Sequence, residues 1–360
     1  MELIYPYGCA KQTSTRGSTL VLLGEFSAGR NGLTARLEMR QTELMRAGEI
    51  DAIAETLGQP VRRAESLAGG FSHETCLLTL AAGDRVVVRL GGPDPAIEAA
   101  IMARARAQVP VPQVLYVVPT VNEGVRPAMV LEYVAGTPLS DVLLAGADGV
   151  GELGAEVGRV IAAIGAVTFG RPGFFCNREL AVRDMPPWSQ QLPEMAAARM
   201  ETVPRERLDP ATRRAWADLC AAYAPALAAI DGQTRLVHAD ANPKNLLVTP
   251  VHGGWRVDAV LDWEFSFSGC PYADAANMTR FSDDYPADFT AGFRAGFAEH
   301  QPTGLSGAGD WAYLGRVLDM FALSDLVTRP MSNPVADRAA ELIRRWIADG
   351  IPDALDLRRK

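Results

Sequence analysis

Asp240 and Asn245 stand five positions apart in the loop His238-Ala239-Asp240-Ala241-Asn242-Pro243-Lys244-Asn245, between the apolar runs Leu236-Val237 and Leu246-Leu247-Val248. Asp262 follows 22 positions after Asp240, at the end of the apolar run Ala259-Val260-Leu261. These residue types suit phosphoryl transfer. A carboxylate can accept or orient the proton of an attacking hydroxyl, and oxygen ligands can hold a Mg²⁺ that bridges nucleotide phosphates. Asp240 suits the first role, Asn245 and Asp262 the second. The flanking runs predict a loop between strands, then a hairpin with Asp262 at its acidic tip.

The elements that must position these groups can be read along the chain. Glu43 to Leu57 carries Leu44, Ala47, Ile50, Ile53, Ala54 and Leu57 at helical steps, and Gly58 and Pro60 end it. Cys76 to Ala81 and Val86 to Leu90, joined by Ala82-Gly83-Asp84, read as a hairpin. A helix over Ala96 to Gln108 carries Glu98 and stops at Val109-Pro110-Val111-Pro112. Strands follow at Val114 to Val118 and Ala128 to Tyr133. Val134-Ala135-Gly136-Thr137-Pro138 then reads as a crossing between lobes. Beyond it helical patterns dominate, at Val150 to Thr168, Pro210 to Ile230, Tyr285 to Glu299, Asp310 to Thr328 and Pro334 to Asp349, interrupted only by the strand pair around Leu247 and Val260. The expected organisation is a poorly ordered leader over 1–42, an N-terminal lobe with hinge over 43–134, and a helical C-terminal lobe over 135–360. Met39 and Met45 precede the first good helix, so translation starting there is a further expectation.

Composition narrows the class. The chain has 360 residues, 48% of them hydrophobic, enough for one large core or two smaller ones. No apolar run reaches membrane-spanning length, and the patch Leu20-Val21-Leu22-Leu23 is too short for a signal peptide. Cys9, Cys76, Cys176, Cys220 and Cys270 form no spaced pairs, which predicts reduced thiols in a cytoplasmic protein. With His73, His238, His252 and His300 they give no zinc spacing either. The net charge of −8 speaks against nucleic acid and anionic membranes as partners and permits a cationic ligand.

Taken with Gly69-Gly70 upstream and the Arg89 to Glu98 spacing, the loop and acidic tip resemble the aminoglycoside phosphotransferase family, small-molecule kinases of the protein-kinase-like fold. The resemblance covers roughly residues 48 to 330. It implies an α+β bilobal fold with a small β-rich lobe and a larger, mainly helical one, and Mg²⁺ with ATP or GTP as cofactors. Asp240 would serve the acceptor hydroxyl, while Asn245 and Asp262 would hold the metal. His238 would brace the loop, although a satisfied structural histidine is the favoured reading there.

The same resemblance gives Gly69, Gly70 and Ser72 to the loop over the phosphates and puts Arg89, where kinases have Lys, opposite Glu98. Alone, the Gly-Gly would be a hairpin turn and the Arg-Glu pair a surface ion pair. Glu132 and Val134 would offer hinge backbone groups to a purine, which leaves ATP against GTP open. Asp274, in Gly269-Cys270-Pro271-Tyr272-Ala273-Asp274, would support the catalytic loop. The family's Leu-His pair is absent, the comparable stretch being Ile161-Ala162-Ala163-Ile164-Gly165.

Acceptor recognition would fall to Glu264, Asp283 and Asp284 in the helical lobe, with Asp288 nearby. Asp283 to Asp288 also reads as a solvated acidic face. Trp188 reads as a buried residue under a loop, or as one that stacks on a ligand. The expected activity is a phosphotransferase acting on a small-molecule hydroxyl, with a cationic antibiotic as acceptor and a resistance role. The alternatives are a metabolic kinase for an amino alcohol, amino sugar or fructosamine, and a nucleotide-binding pseudokinase. Oligomeric state does not follow from the sequence.

Overall fold

The computed structural model describes residues 48–67, 73–92, 94–118 and 126–353. All of the expected leader, and Gly69, Gly70 and Ser72, lie outside them. The chain divides into two compact units, whose described parts are 48–95 with 114–133, and 96–113 with 134–353.

The first unit is an antiparallel sheet with one helix. Helix α1 spans 48–57. Strands β1 (Val61–Ser66), β2 (Glu74–Leu80) and β3 (Arg85–Leu90) follow. After helix α2 (Pro95–Ala105) come β4 (Val114–Val118) and β5 (Ala128–Glu132), giving the sheet order β1-β2-β3-β5-β4. Alternation along β2 and β3 turns Cys76, Leu78, Leu80, Val86, Val88 and Leu90 to one face, where Ile53 of α1 joins them. Arg126 also ties α1 to β2 through ion pairs with Glu49 at 2.6 Å and Glu74 at 3.1 Å.

The second unit is mainly helical. It begins with α2 and continues through β6 (Thr137–Pro138), α3 (Leu139–Ala145), α4 (Val150–Ile164), β7 (Gly173–Phe174), α5 (Trp188–Thr202) and α6 (Pro210–Tyr223). Then come β8 (Arg235–Val237), β9 (Leu246–Val251), β10 (Gly254–Val260), β11 (Phe267–Gly269), α7 (Tyr272–Thr279), α8 (Ala287–Glu299), α9 (Trp311–Leu326) and α10 (Pro334–Asp349). Local chemistry sets several starts: Asp209 and Asn333 cap α6 and α10 by accepting backbone N–H groups, each followed by proline in the first turn. Among the described residues no helix is long and apolar enough to cross a membrane. Cys76, Cys176, Cys220 and Cys270 are free thiols.

The sequence reading differs from this second unit in two places. Short sheets ordered β10-β9-β6 and β7-β11-β8 stand where a single strand pair is expected. Helices α3, α5 and α7 were not anticipated. Trp188 opens α5 and is buried, with its ring edge on Phe174 and near Phe267, so packing accounts for it. The two short sheets matter most for the site: β8 leads into His238, β9 leaves from Asn245, and β10 ends two residues before Asp262.

Candidate active site

Between β8 and β9 the chain makes a tight loop. Asn242 caps a 3-10 turn over Pro243–Asn245 by accepting the Lys244 N–H at 3.0 Å. That turn points two amides at one carboxylate. Asn242 Nδ2 donates to Asp240 Oδ1 at 2.9 Å, and Asn245 Nδ2 donates to Oδ2 at 2.8 Å. Asn245 also reaches the Asp240 carbonyl at 2.9 Å. Asp240 is half-buried, and burial together with the Asp262 carboxylate pushes it up to about 6 against the pull of the two amides.

The Asn245 amide has only one sensible orientation, because its NH₂ faces two oxygen acceptors. Its Oδ1 is thus turned away from Asp240. Asn245 is joined to the second loop through its carbonyl, which accepts the Leu261 N–H at 2.8 Å. An amide oxygen and the Asp262 carboxylate make a hard-oxygen donor set that fits Mg²⁺ with phosphates and water completing the shell. Among the described residues no group of three or more His, Cys, Asp or Glu is placed to hold a metal ion.

Two non-glycine residues adopt left-handed backbone at this point, Ala239 with φ 69° and Asp262 with φ 66°. Such geometry costs roughly 1–2 kcal/mol per residue and persists only where surroundings enforce it. The enforcing contacts are specific. Asp274 of α7, fully buried, accepts the N–H of His238 and of Ala239, each at 2.8 Å. Burial pushes its carboxyl up to about 7 despite those two bonds. Glu98 of α2 accepts the Trp263 N–H at 3.0 Å, directly after Asp262.

His238 links the two loops. Its Nε2 lies 2.9 Å from the Leu261 carbonyl, and its Nδ1 accepts the Asp240 N–H at 3.2 Å. That pair of partners assigns a neutral ring with the proton on Nε2. Burial drives its pKa down to about 4, and the ring packs on Trp263 with centroids 4.5 Å apart.

Of the residues singled out in the sequence, the structure thus brings Asp240, Asn245, His238 and Asp274 into one hydrogen-bonded group, joined to the Asp262 loop through Leu261. Glu98 adjoins Asp262 through Trp263. Arg89 is buried on β3 and its Nη2 lies 2.9 Å from His73 Nδ1, a contact the sequence did not suggest. Glu132 ends β5 and is exposed, with Val134 two residues on. Glu264 is half-buried just after Trp263. Asp283 and Asp284 are exposed and form ion pairs with Arg345 and Arg338 of α10. Asn242 was missed; its spacing from Asp240 matched no expected role, and only the turn reveals it.

The family model described as the phosphotransferase enzyme family (APH) matches residues 63–311. No curated protein matches the chain. Among solved structures, aminoglycoside phosphotransferase APH(4)-Ia is similar at 18% identity and TM-score 0.66, over 84% of this chain and 99% of that one. A thermostable mutant of it (D198A, in its own numbering), in ternary complex with ADP and hygromycin B, gives 20% identity and TM-score 0.63, over 84% and 98%. The GDP and kanamycin complex of APH(2″)-IIIa gives 18% and 0.58, over 81% and 95%. At such identities these likenesses establish the fold, which is the α+β, protein-kinase-like one. The extent of the family match carries the rest: this chain belongs to the phosphotransferase enzyme family of the aminoglycoside phosphotransferase type.

Proposed function

We propose that this chain moves the terminal phosphoryl group of ATP or GTP to a hydroxyl of a small, cationic molecule, with Mg²⁺ as cofactor. One observation carries the reading. Both oxygens of Asp240 are gripped by amides, while Asn245 Oδ1 is turned away from that carboxylate, in a loop bonded to the one that bears Asp262. An acid held in one orientation beside two oxygen donors is what positional catalysis of phosphoryl transfer requires.

In this reading the acceptor oxygen forms a bond to the terminal phosphorus, the bond to the bridging oxygen of the nucleoside diphosphate breaks, and the hydroxyl proton passes to an Asp240 oxygen. Asn242 and Asn245 keep that oxygen aimed; Asn245 and Asp262 would hold Mg²⁺. When bound, Mg²⁺ neutralises charge on the phosphate oxygens. Gly69, Gly70, Ser72, Arg89, Glu98, Glu132 and Val134 are proposed for the nucleotide, within a nucleotide lobe over 43–134. A cationic acceptor is supported by the acidic net charge, by Glu264 beside the loop of Asp262, and by the hygromycin B and kanamycin bound in similar structures.

A second reading, a metabolic kinase for an amino alcohol or amino sugar, is favoured by one contact set. Asp283 and Asp284 each pair with an arginine, which offsets two of the negative charges a polycation would use. The test is ADP or GDP release by purified protein with Mg²⁺ across aminoglycosides, amino sugars and amino alcohols. Acceptor-dependent release, abolished by Asp240→Asn with nucleotide binding retained, is expected. Nucleotide binding without turnover on any acceptor would make the chain a binding protein instead.

A further inference from the structure

The peptide unit joining Ala239 to Asp240 is pinned at both of its polar ends. Its N–H, on Asp240, donates to His238 Nδ1 at 3.2 Å. Its carbonyl, on Ala239, accepts from Asn277 Nδ2 at 3.0 Å. This unit follows the left-handed Ala239 and feeds directly into the carboxylate that Asn242 and Asn245 hold. A rotation of it would swing Asp240 off its two amides.

Asn277 reaches this carbonyl from α7, one helical turn after Asp274, so both side chains lie on the same face of that helix. Asp274 takes the N–H of Ala239 and Asn277 takes its C=O. Only 4% of Asn277 is exposed, and its Oδ1 is buried with no hydrogen-bond partner among the described residues. A buried amide oxygen in that state is a stability cost unless a water reaches it. An apolar residue would fill the site without that cost. The remaining reason for an asparagine is its NH₂, which must face the Ala239 carbonyl.

We infer that Asn277 is a positioning residue for Asp240, acting through the Ala239 carbonyl to hold the peptide that precedes the carboxylate. The inference rests on the reading of Asp240 as the group that takes the acceptor's proton. Asn277 touches no reacting atom. Its loss should therefore lower kcat and leave KM for nucleotide and acceptor unchanged, because a misaimed carboxylate weakens the transition state and not ground-state binding.

The experiment compares wild type, Asn277→Ala and Asn277→Asp. Amide hydrogen exchange is followed over residues 236–245, alongside Mg²⁺-dependent consumption of ATP and GTP with the acceptor panel and with water. Asn277→Ala should speed exchange of the Asp240 N–H about 10-fold or more while α4 and α8 keep their protection, and kcat should fall roughly 10- to 100-fold, as for a small misplacement of a reacting group. Asn277→Asp, closest in shape, is the second variant should alanine fail to fold. A carboxylate repels the carbonyl and a protonated carboxyl donates to it, so the ratio of this variant's kcat to that of wild type at the same pH should rise as pH falls. Wild-type exchange in both variants, or a loss confined to KM or to melting temperature, would overturn the inference. If wild type turns over neither nucleotide, the functional reading fails separately, and the exchange data still decide whether Asn277 pins the loop.

Discussion

Glu98 on α2 accepts the backbone N–H of Trp263 at 3.0 Å, so the residue expected from the sequence to face Arg89 also holds the chain directly after Asp262. Glu98 is only 5% exposed. Removing its carboxyl leaves a buried N–H without that acceptor, at about 1–3 kcal/mol. Glu98→Gln keeps an oxygen acceptor and discards the charge. Glu98→Ala should lower kcat/KM by about 10-fold or more, the rate equivalent of 1.4 kcal/mol or above, and weaken Mg²⁺-nucleotide binding. Glu98→Gln should lose less. Steady-state kinetics and calorimetry on both variants check this, and equal losses would give the charge, not the Trp263 contact, the main role.

His238 makes the fold sensitive to acid. Burial holds its folded pKa near 4, while an unfolded histidine titrates near 6.5. A depressed folded pKa means that the native state binds fewer protons, so the contribution is intact above pH 6.5 and is lost as pH falls toward 4. The full span is roughly 3 kcal/mol, at about 1.4 kcal/mol per pH unit. The ring's contacts agree, because protonating Nδ1 would remove the acceptor of the Asp240 N–H. His238→Gln, which cannot titrate, should destabilise the protein most at pH 7.5 and progressively less toward pH 4.5. Denaturant unfolding at several pH values measures the slope, and a pH-independent difference would refute the assignment.

Asp240 gives a second pH signature, from a pKa shifted in the opposite direction. Its folded pKa is raised to about 6, first by burial and then by Asp262. In the proposed role Asp240 acts as the carboxylate, so kcat/KM at limiting Mg²⁺ should fall as pH drops through about 6. A cation between Asn245 and Asp262 offsets the Asp262 charge and favours ionisation. Raising Mg²⁺ should therefore move the acid limb to lower pH. Asp262→Asn should remove most of that metal-dependent movement, and a limb that stays fixed at all Mg²⁺ concentrations would count against the site.

The loops that carry these groups were legible because each follows a short apolar run, and two apolar runs joined by Ala82-Gly83-Asp84 identified the hairpin of β2 and β3. What escaped the sequence did so for physical reasons. Helix α7 is buried from Asp274 to Thr279 and shows no polar face to give a 3.6-residue period. Helix α5 contains Pro193, which reads as a breaker. Strands β7 and β11 are two and three residues long. The contacts of Asn242, Asn277 and Ser266 depend on where backbone carbonyls point, Ser266 Oγ reaching the His238 carbonyl at 3.4 Å. Residue spacing carries no record of that.

Helices α4 and α8 offer the clearest test of the scaffold, because they meet backbone to backbone. A Cβ on Gly154 would stand well inside 3.0 Å of the Phe289 carbonyl, one on Gly158 against the Phe293 carbonyl, and one on Gly296 against the Ala155 carbonyl. Glycines four apart on each helix, Gly154 with Gly158 and Gly292 with Gly296, make this approach possible. A helix backbone cannot yield as a flexible side chain would. Gly296→Ala should therefore destabilise by about 2 kcal/mol or more, even though alanine favours helix by about 1 kcal/mol at a neutral site. Gly48 of α1, where an added Cβ would have nothing within 4 Å among the described residues, is the internal control. Gly48→Ala should be neutral or slightly stabilising, while Gly296→Ala lowers the melting temperature by roughly 3 °C or more. Differential scanning calorimetry on both separates close packing from propensity: a loss of the same size in both variants would mean that α4 and α8 do not touch as described.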